Sequence, residues 1–220
     1  MNYQEQVITE GEISRVLKIE ENHFNDFKAK DISGNKFSKV VSAFANASGG
    51  DIYIGIREEN NTKTKHWEGF QYIEDANSFL QILYCIPNAE NFYELDFLRH
   101  PTLNTYVLKV TIFKTNSIIH TTDNKIFVRR GAQSLPVDTP EKIRRLELDK
   151  GIASYENETV GESEITDVTE SEIYKKFSEA IIPATDPQKW LIKQRLIRGN
   201  KLTVAGELLF ADEPQICLPK

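Results

Sequence analysis

The apolar and polar residues between positions 36 and 56 predict a helix followed directly by a strand. In KFSKVVSAFANAS the apolar residues recur every three or four positions, the spacing of one helix face: Phe37, Val40, Val41 and Phe44. The next segment, DIYIGI, alternates and carries isoleucine at 52, 54 and 56, as a strand with one buried side would. Gly49 falls between the two and suits the left-handed conformation in which many helices end.

Similar patterns predict elements on either side of this unit. TEGE, at Thr9–Glu12, has the spacing of a helix capping box. HFNDFKAK alternates and predicts a strand with Phe24 and Phe27 as its apolar positions. EDANSFLQILYCI predicts a second amphipathic helix, which ends at Pro87 and buries Cys85 in the core.

One strand, one hairpin and one helix are predicted before residue 150. TYVLKVTIFK predicts one strand, and SIIHTTDNKIFVRRG predicts a hairpin that turns at Asp123–Asn124. A helix then begins after Thr139, with Pro140 at its first position, and ends at Gly151. The predicted fold class is α+β, with a mixed, mainly antiparallel sheet and flanking helices over residues 1–150.

Charge divides the chain at the end of this region. Residues 151–182 carry eight acids and two lysines, and the remaining residues hold 25 acids and 25 bases, so that this segment accounts for the net charge of -6. We therefore predict an acidic linker at 151–168 and a small helical C-terminal segment at 169–220. The segment ends abruptly, as expected for the start of a truncated C-terminal module.

Composition narrows the class of protein further. No apolar run approaches the roughly 20 residues that span a bilayer, and the N-terminus lacks the pattern of a signal peptide. The two cysteines, Cys85 and Cys217, are far apart and have no metal-like spacing. These features predict a cytoplasmic protein without a disulfide framework and without a membrane partner.

Three carboxylates form a candidate site. Glu21 and Asp26 flank or enter one predicted strand, with Lys28 just beyond, and Glu58 follows the DIYIGI strand. If the two strands are neighbours, the three acids meet at one end of the sheet. Such a cluster would bind Mg²⁺ or Mn²⁺, which could activate water against a phosphodiester. The alternative is that these are ordinary surface acids, which is the common case in a protein with 33 of them.

Basic residues form candidate phosphate contacts. They are concentrated in KIFVRRG and EKIRRLELDK, with Lys36 and Lys39 also near the acid pair. The principal candidates are Lys28, Lys30, Arg129, Arg130, Arg144 and Arg145. A mixed-charge surface exposed to solvent explains them equally well. Gly49-Gly50 is not a phosphate loop, because it connects a helix to a strand and no Gly-Lys-Ser/Thr follows.

Three blocks of this sequence form a recognisable set: ENHFNDFK, VVSAFANASGGDIYIGIREEN and KIFVRRGAQSLPVDTPEKIRRL. They resemble, in turn, the E-x4-E-F-K opening, the central segment and the closing segment of the Schlafen AlbA-like domain, also called the AlbA_2 or divergent AAA-4 type. The blocks keep the family's order and cover roughly residues 12 to 150. The resemblance implies an α+β nucleic-acid-binding fold.

The resemblance also implies an activity. In vertebrate Schlafen proteins this domain forms a core that cleaves transfer and ribosomal RNA with a divalent metal, through carboxylates that match Glu21, Asp26 and Glu58. Asp26 stands where the family usually has Glu. Arg57-Glu58-Glu59 replaces its usual acidic pair, so that the resemblance does not distinguish Glu58 from Glu59 as the third ligand. Many bacterial relatives are DNA-binding regulators instead, in which a segment like LTVAGELLFADEPQICLPK leads to an ATP-binding module and a winged helix.

Three functions follow as hypotheses. The first is a metal-dependent endoribonuclease acting on tRNA-like RNA, in bacterial defence or regulation, with Lys28 at the scissile phosphate and Arg129 or Arg130 on the backbone. The second is a non-catalytic module that binds DNA or RNA. The third is a protein-interaction or assembly domain that docks a partner through the acidic segment; a homo-oligomer is possible in each case.

Overall fold

The chain divides into two units, Met1–Lys150 and Gly151–Lys220. The structure is a computed structural model that describes residues 3–59, 62–86, 92–181 and 187–218. The domain boundaries predicted after residues 150 and 168, on either side of the acidic linker, remain predictions.

A five-stranded mixed sheet organises the first unit. Its strands are β1 (Gln4–Val7), β2 (Asn25–Lys28), β3 (Gly50–Ile54), β6 (Tyr93–Arg99) and β7 (Tyr106–Ile112). They lie in the order β1-β6-β7-β3-β2. The edge strands β1 and β2 pair in parallel with their neighbours, whereas β7 pairs antiparallel with both β6 and β3. With the hairpins below, antiparallel pairs predominate among the described strands, which confirms the predicted fold class.

Two hairpins flank this sheet: β4 (Ile56–Glu58) with β5 (Lys65–Trp67), and β8 (Phe127–Arg130) with β9 (Gln133–Pro136). The predicted turn at Asp123–Asn124 does form, and its two sides share the His120–Ile126 bridge and the hydrogen bond from Thr121 N to Lys125 O, 2.8 Å long. The prediction that β8 continues this pairing as a hairpin strand was wrong. The strand pairs instead with β9, because Gly131, at φ 56°, permits a tight turn after it.

The helices of the first unit begin where the sequence supplies caps. They are α1 (Glu10–Lys18), α2 (Gly34–Ala45), α3 (Asn77–Cys85, preceded by a 3₁₀ turn at Ile73–Ala76) and α4 (Pro140–Asp149). Thr9 and Glu12 form the predicted capping box, and Thr139 Oγ1 accepts a hydrogen bond from Lys142 N across 3.3 Å. Pro87, the predicted end of the second amphipathic helix, lies outside the described residues.

Each face of the sheet carries its own core. Helices α2 and α3 cover one face, where Phe37, Phe44, Ile52 and Ile54 are buried together. Helix α1 and the β4–β5 hairpin supply the other core, whose members include Ile13, Phe27, Tyr53, Ile56 and Val107.

Three predicted core positions differ from the structure. Ile56 lies in the opposite core from Ile52 and Ile54, because Gly55, at φ 105°, ends β3 and redirects the chain. Phe24 is 54% exposed, since β2 starts only at Asn25. Cys85 is exposed because the buried residues of α3 lie on its other side.

The second unit is mainly helical, as predicted for the C-terminal segment. Its elements are a 3₁₀ turn (Tyr155–Asn157), α5 (Ile165–Thr169), α6 (Glu172–Ile181), α7 (Pro187–Lys193), the short pair β10 (Ile197–Arg198) and β11 (Lys201–Leu202), and α8 (Val204–Phe210). Val168, Leu191, Leu202 and Phe210 belong to one buried cluster. Among the described residues of the whole chain, every helix is too short or too polar to cross a bilayer.

Candidate functional site

Strand β2 forms one wall of a cleft of about 700 Å³. The other walls are the loop after β2, the first turns of α2, and the β8–β9 hairpin. The charged residues that line it are Glu21, Asp26, Asp31, Lys28, Lys36, Lys39 and Arg129. The structure therefore brings together four of the predicted site residues, namely Glu21, Asp26, Lys28 and Arg129.

Lys28 connects the two carboxylates of this cleft. Its Nζ lies 2.7 Å from Asp26 Oδ1 and 3.4 Å from Glu21 Oε1. Asp26 and Lys28 share a face of β2 because side chains two residues apart in a strand point the same way. Glu21 is further held by Phe27 N, which donates to Glu21 Oε1 across 3.1 Å. A cation with two acids within hydrogen-bond reach is thus fixed at the wall of the cleft.

Arg129 lies beneath this group rather than on its surface. It is only 3% exposed, and its guanidinium donates to Asn22 O across 2.9 Å and to Asn25 O across 3.2 Å. It also lies 3.6 Å from Asp26 Oδ1 and stacks over the ring of Phe44. These contacts hold the turn before β2 in place. Through this turn and its direct contact with Asp26, Arg129 positions the carboxylate.

Burial separates the acidities of the two carboxyl groups. Desolvation raises the pKa of Asp26 to about 6 and is assisted by the negative charge of Glu21, although Lys28 and Arg129 oppose it. Burial also disfavours the charge of Glu21, but Lys28 and the Phe27 amide outweigh it, and the pKa of Glu21 is lowered. Glu21 therefore loses its proton at a lower pH than Asp26. Asp26 changes its protonation state near pH 6, close to neutral pH.

Asp26 also has a free oxygen. Asp26 Oδ2 is buried and has no hydrogen-bond partner among the described residues. An unpaired buried carboxylate oxygen costs free energy. Glu68 Oε2 and Glu207 Oε2 share this property among the described residues, but only Asp26 lines the cleft.

Glu58, the predicted third carboxylate, does not line the cleft. It lies on β4, where it pairs with Lys63 Nζ at 3.2 Å and Lys65 Nζ at 3.7 Å. The adjacent Glu59 pairs with His66. Gly55 explains this placement, because the turn there directs the chain into the β4–β5 hairpin.

A divalent metal needs oxygen ligands, and the cleft supplies part of such a set. No three His, Cys, Asp or Glu side chains within the described ranges are grouped to hold a metal ion. Glu21 and Asp26 do converge, however, and Asp26 Oδ2 is unsatisfied. Mg²⁺ commonly takes one or two carboxylates and completes its shell with water and substrate phosphate. The residues therefore fit a two-carboxylate site but not the predicted set of three.

The predicted basic residues fall in different places. Lys30 is exposed but does not line the cleft, whereas Arg130 and Arg145 line a separate groove. Arg144 pairs with Glu147 on its own helix at 3.0 Å.

Lys36 and Lys39, which the sequence suggested as possible phosphate contacts, also line the cleft. They lie three positions apart, on one face of α2, and α2 follows β2 after a short loop. The short loop and that spacing bring both lysines to the cleft.

Comparison with known proteins places this fold in a family. The family model for the Schlafen AlbA_2 domain matches residues 21–138, more than half of the chain. Among solved structures, the crystal structure of the DIP2311 protein from Corynebacterium diphtheriae is similar at 18% identity and a TM-score of 0.45, over 91% of this chain and 44% of that one. The chain thus spans less than half the length of that protein. No curated protein matches. The extent of the family match establishes that this chain belongs to the Schlafen AlbA_2 family.

Proposed function

We propose that this chain binds nucleic acid and that its cleft cleaves RNA phosphodiester bonds with the help of Mg²⁺ or Mn²⁺. The observation that carries the proposal is the group formed by Glu21, Asp26 and Lys28, joined by contacts of 2.7 and 3.4 Å in a cleft of about 700 Å³. Phosphodiester cleavage needs a positioned cation, a means of activating water and room for the backbone. The cleft has groups suited to each of these tasks.

Glu21 and Asp26 would hold the metal, Asp26 through its unpartnered Oδ2. Such a metal, when bound, supplies an activated water and offsets charge on the phosphate. With a pKa of about 6, Asp26 would hold or release a proton near neutral pH. Ionised Asp26 is the form that binds a cation, so we expect metal binding to strengthen as the pH rises through 6.

Lys28 would steady the scissile phosphate. Its side chain is 27% exposed and lines the cleft, while Nζ bonds to Asp26, Glu21 and the carbonyl oxygen of Phe27. Metal binding to the acids would release Lys28 toward the substrate. Lys36 and Lys39, on the opposite wall, would contact flanking phosphates and set the register of the strand without reading its sequence.

The proposal is tested by incubating the full chain with total tRNA in Mn²⁺, Mg²⁺ or EDTA. We expect metal-dependent cleavage that is abolished in the double variant Glu21→Gln/Asp26→Asn, which keeps side-chain shape but removes both charges. Glu58→Gln is the matched control and should cleave normally, because Glu58 pairs with lysines away from the cleft. Cleavage that survives the double variant would refute the site, and loss of cleavage in Glu58→Gln would restore Glu58 as a ligand.

A non-catalytic nucleic-acid-binding module is the second candidate. The observation that favours it is that Lys28 already neutralises both acids while Glu58 stays with its own lysines. This candidate predicts that RNA or duplex DNA binds equally well in EDTA, that binding weakens steeply with salt, and that no cleavage occurs.

A further inference from the structure

A second groove lies between the β8–β9 hairpin and helix α4. It has a volume of about 420 Å³. This volume falls in the range of about 300–1,000 Å³ that is usual for small-ligand sites. Val128, Leu135 and Leu146 give it an apolar lining, and Arg130, Lys142 and Arg145 add positive charge.

Strand alternation explains why the hairpin serves both the cleft and this groove. Arg129 is paired with Ser134 across the hairpin, and both line the cleft. The next pair, Val128 and Leu135, lines the groove together with Arg130. Successive side chains of a strand point to opposite faces. The cleft therefore lies on one face of the hairpin and the groove on the other.

The charges of the groove are only partly neutralised. Lys142 pairs with Asp138 at 2.7 Å, and Asp149 also lines the groove. Arg130 and Arg145 are exposed, and neither forms an ion pair within the described ranges. Unpaired guanidinium groups beside an apolar surface suit a ligand that has both a flat apolar part and an anionic part.

We propose that this groove binds one unpaired nucleotide of the nucleic acid whose neighbouring phosphodiester lies in the cleft. The inference rests on the proposed function. The base would pack on Val128, Leu135 and Leu146, and its phosphate would bind Arg130 and Arg145. An acidic peptide would also satisfy the arginines, but a nucleic acid continues past the hairpin and can occupy both of its faces. The substrate class is therefore a nucleic acid with a single-stranded segment beside the bound phosphate, and under the proposed function this nucleic acid is RNA.

The test compares two labelled RNA duplexes of equal sequence, one blunt and one with a single-stranded overhang, by fluorescence anisotropy with the full chain. We expect the overhang to tighten binding by about tenfold, because it adds apolar packing on three aliphatic side chains and phosphate contacts to two arginines. Leu135→Ala and the double variant Arg130→Gln/Arg145→Gln should each abolish that gain. The matched control is Arg195→Gln/Arg198→Gln, which removes the same charge from exposed arginines of the second unit and should keep the gain.

The outcomes distinguish this inference from the proposed function. Equal binding of the two duplexes, unchanged by the groove variants, would overturn the nucleotide site and leave the cleft intact. If neither RNA binds, the proposed function is refuted, and the nucleotide site that rests on it is refuted as well. An acidic leucine-containing peptide is the remaining probe: if it binds, if the same variants abolish that binding, and if the overhang has no effect, the groove belongs to a protein partner and the proposal is refuted.

Discussion

Lys28 Nζ lies 2.7 Å from Asp26 Oδ1, so that an almost fully buried acid is neutralised by a lysine of which about a quarter is exposed. The two residues belong to one strand and share its face, which makes the pair a local property of the sequence DFK. Asp26 is therefore shielded from water, whereas the side chain of Lys28 lines the cleft.

Lys28→Met keeps the aliphatic stem but removes the charge that opposes desolvation of Asp26. We expect the pKa of Asp26 to rise above 6, RNA cleavage to fall by about 100-fold, and the pH optimum to move upward. A pH–rate profile would measure both effects. Lys30→Met is the matched control, because Lys30 is exposed and does not line the cleft. Equal profiles for the two variants would contradict the role of Lys28.

Asp26→Asn should stabilise the fold at neutral pH. The folded-state pKa of about 6 exceeds the ordinary 3.8, so the folded chain holds this proton more tightly. The tightly held proton on Asp26 therefore contributes to the free energy of unfolding. This contribution is present in full below pH 3.8 and is lost as the pH rises through 6. Removing the charge should therefore raise the free energy of unfolding near neutral pH by on the order of 2 kcal/mol.

Urea denaturation across this pH range measures the effect. The stability gained by Asp26→Asn should shrink as the pH falls through 6 toward 3.8. A variant less stable than the parent at every pH would instead identify Asp26 as a structural partner of Arg129.

Arg129→Lys should destabilise the chain by about 2–4 kcal/mol, because a lysine cannot reproduce the fork that bonds the carbonyls of Asn22 and Asn25. Arg130→Lys, one residue along the same strand but exposed, should change stability by less than about 0.5 kcal/mol. Urea denaturation of both variants provides the comparison. Similar losses in the free energy of unfolding would show that the buried hydrogen bonds of Arg129 do not contribute to stability.

The predictable parts of this fold are those with local causes. The capping box at Thr9 and the Thr139-Pro140 start determine where α1 and α4 begin, and the spacing of apolar residues identifies the buried face of α2. Strand β1 was missed because its four residues are all exposed and carry no alternating burial.

The same distinction applies to the site. Asp26 and Lys28 are neighbours through strand spacing alone, whereas Arg129 reaches them across more than 100 residues of sequence. Glu58 was expected to join them because DIYIGI was treated as one strand. The turn at Gly55 packs closely on Gly69, a tertiary contact that no local pattern reveals.

Gly49→Ala should be much more damaging than Gly131→Ala. Both glycines have positive φ, 77° and 56°, so each substitution carries a backbone cost of about 1 kcal/mol. A Cβ at Gly131 would meet nothing within 4 Å, whereas one at Gly49 would overlap the carbonyl oxygen of Ile112. We expect an extra loss of at least about 2 kcal/mol at Gly49, measured by thermal or urea denaturation. Equal losses would mean that the end of strand β7 shifts to make room for the added methyl group.

Lys36→Gln and Lys39→Gln should weaken RNA binding through charge alone. Each lysine lines the cleft, and removing one cation that binds a phosphate should reduce the slope of log affinity against log salt concentration by about 1. Affinities measured over a salt series in EDTA would isolate binding from cleavage. Lys18→Gln, on the exposed side of α1, changes the net charge equally without touching the cleft and should leave the slope unchanged. If all three variants shift the slope alike, RNA responds to the overall charge of the chain and the cleft is not its path.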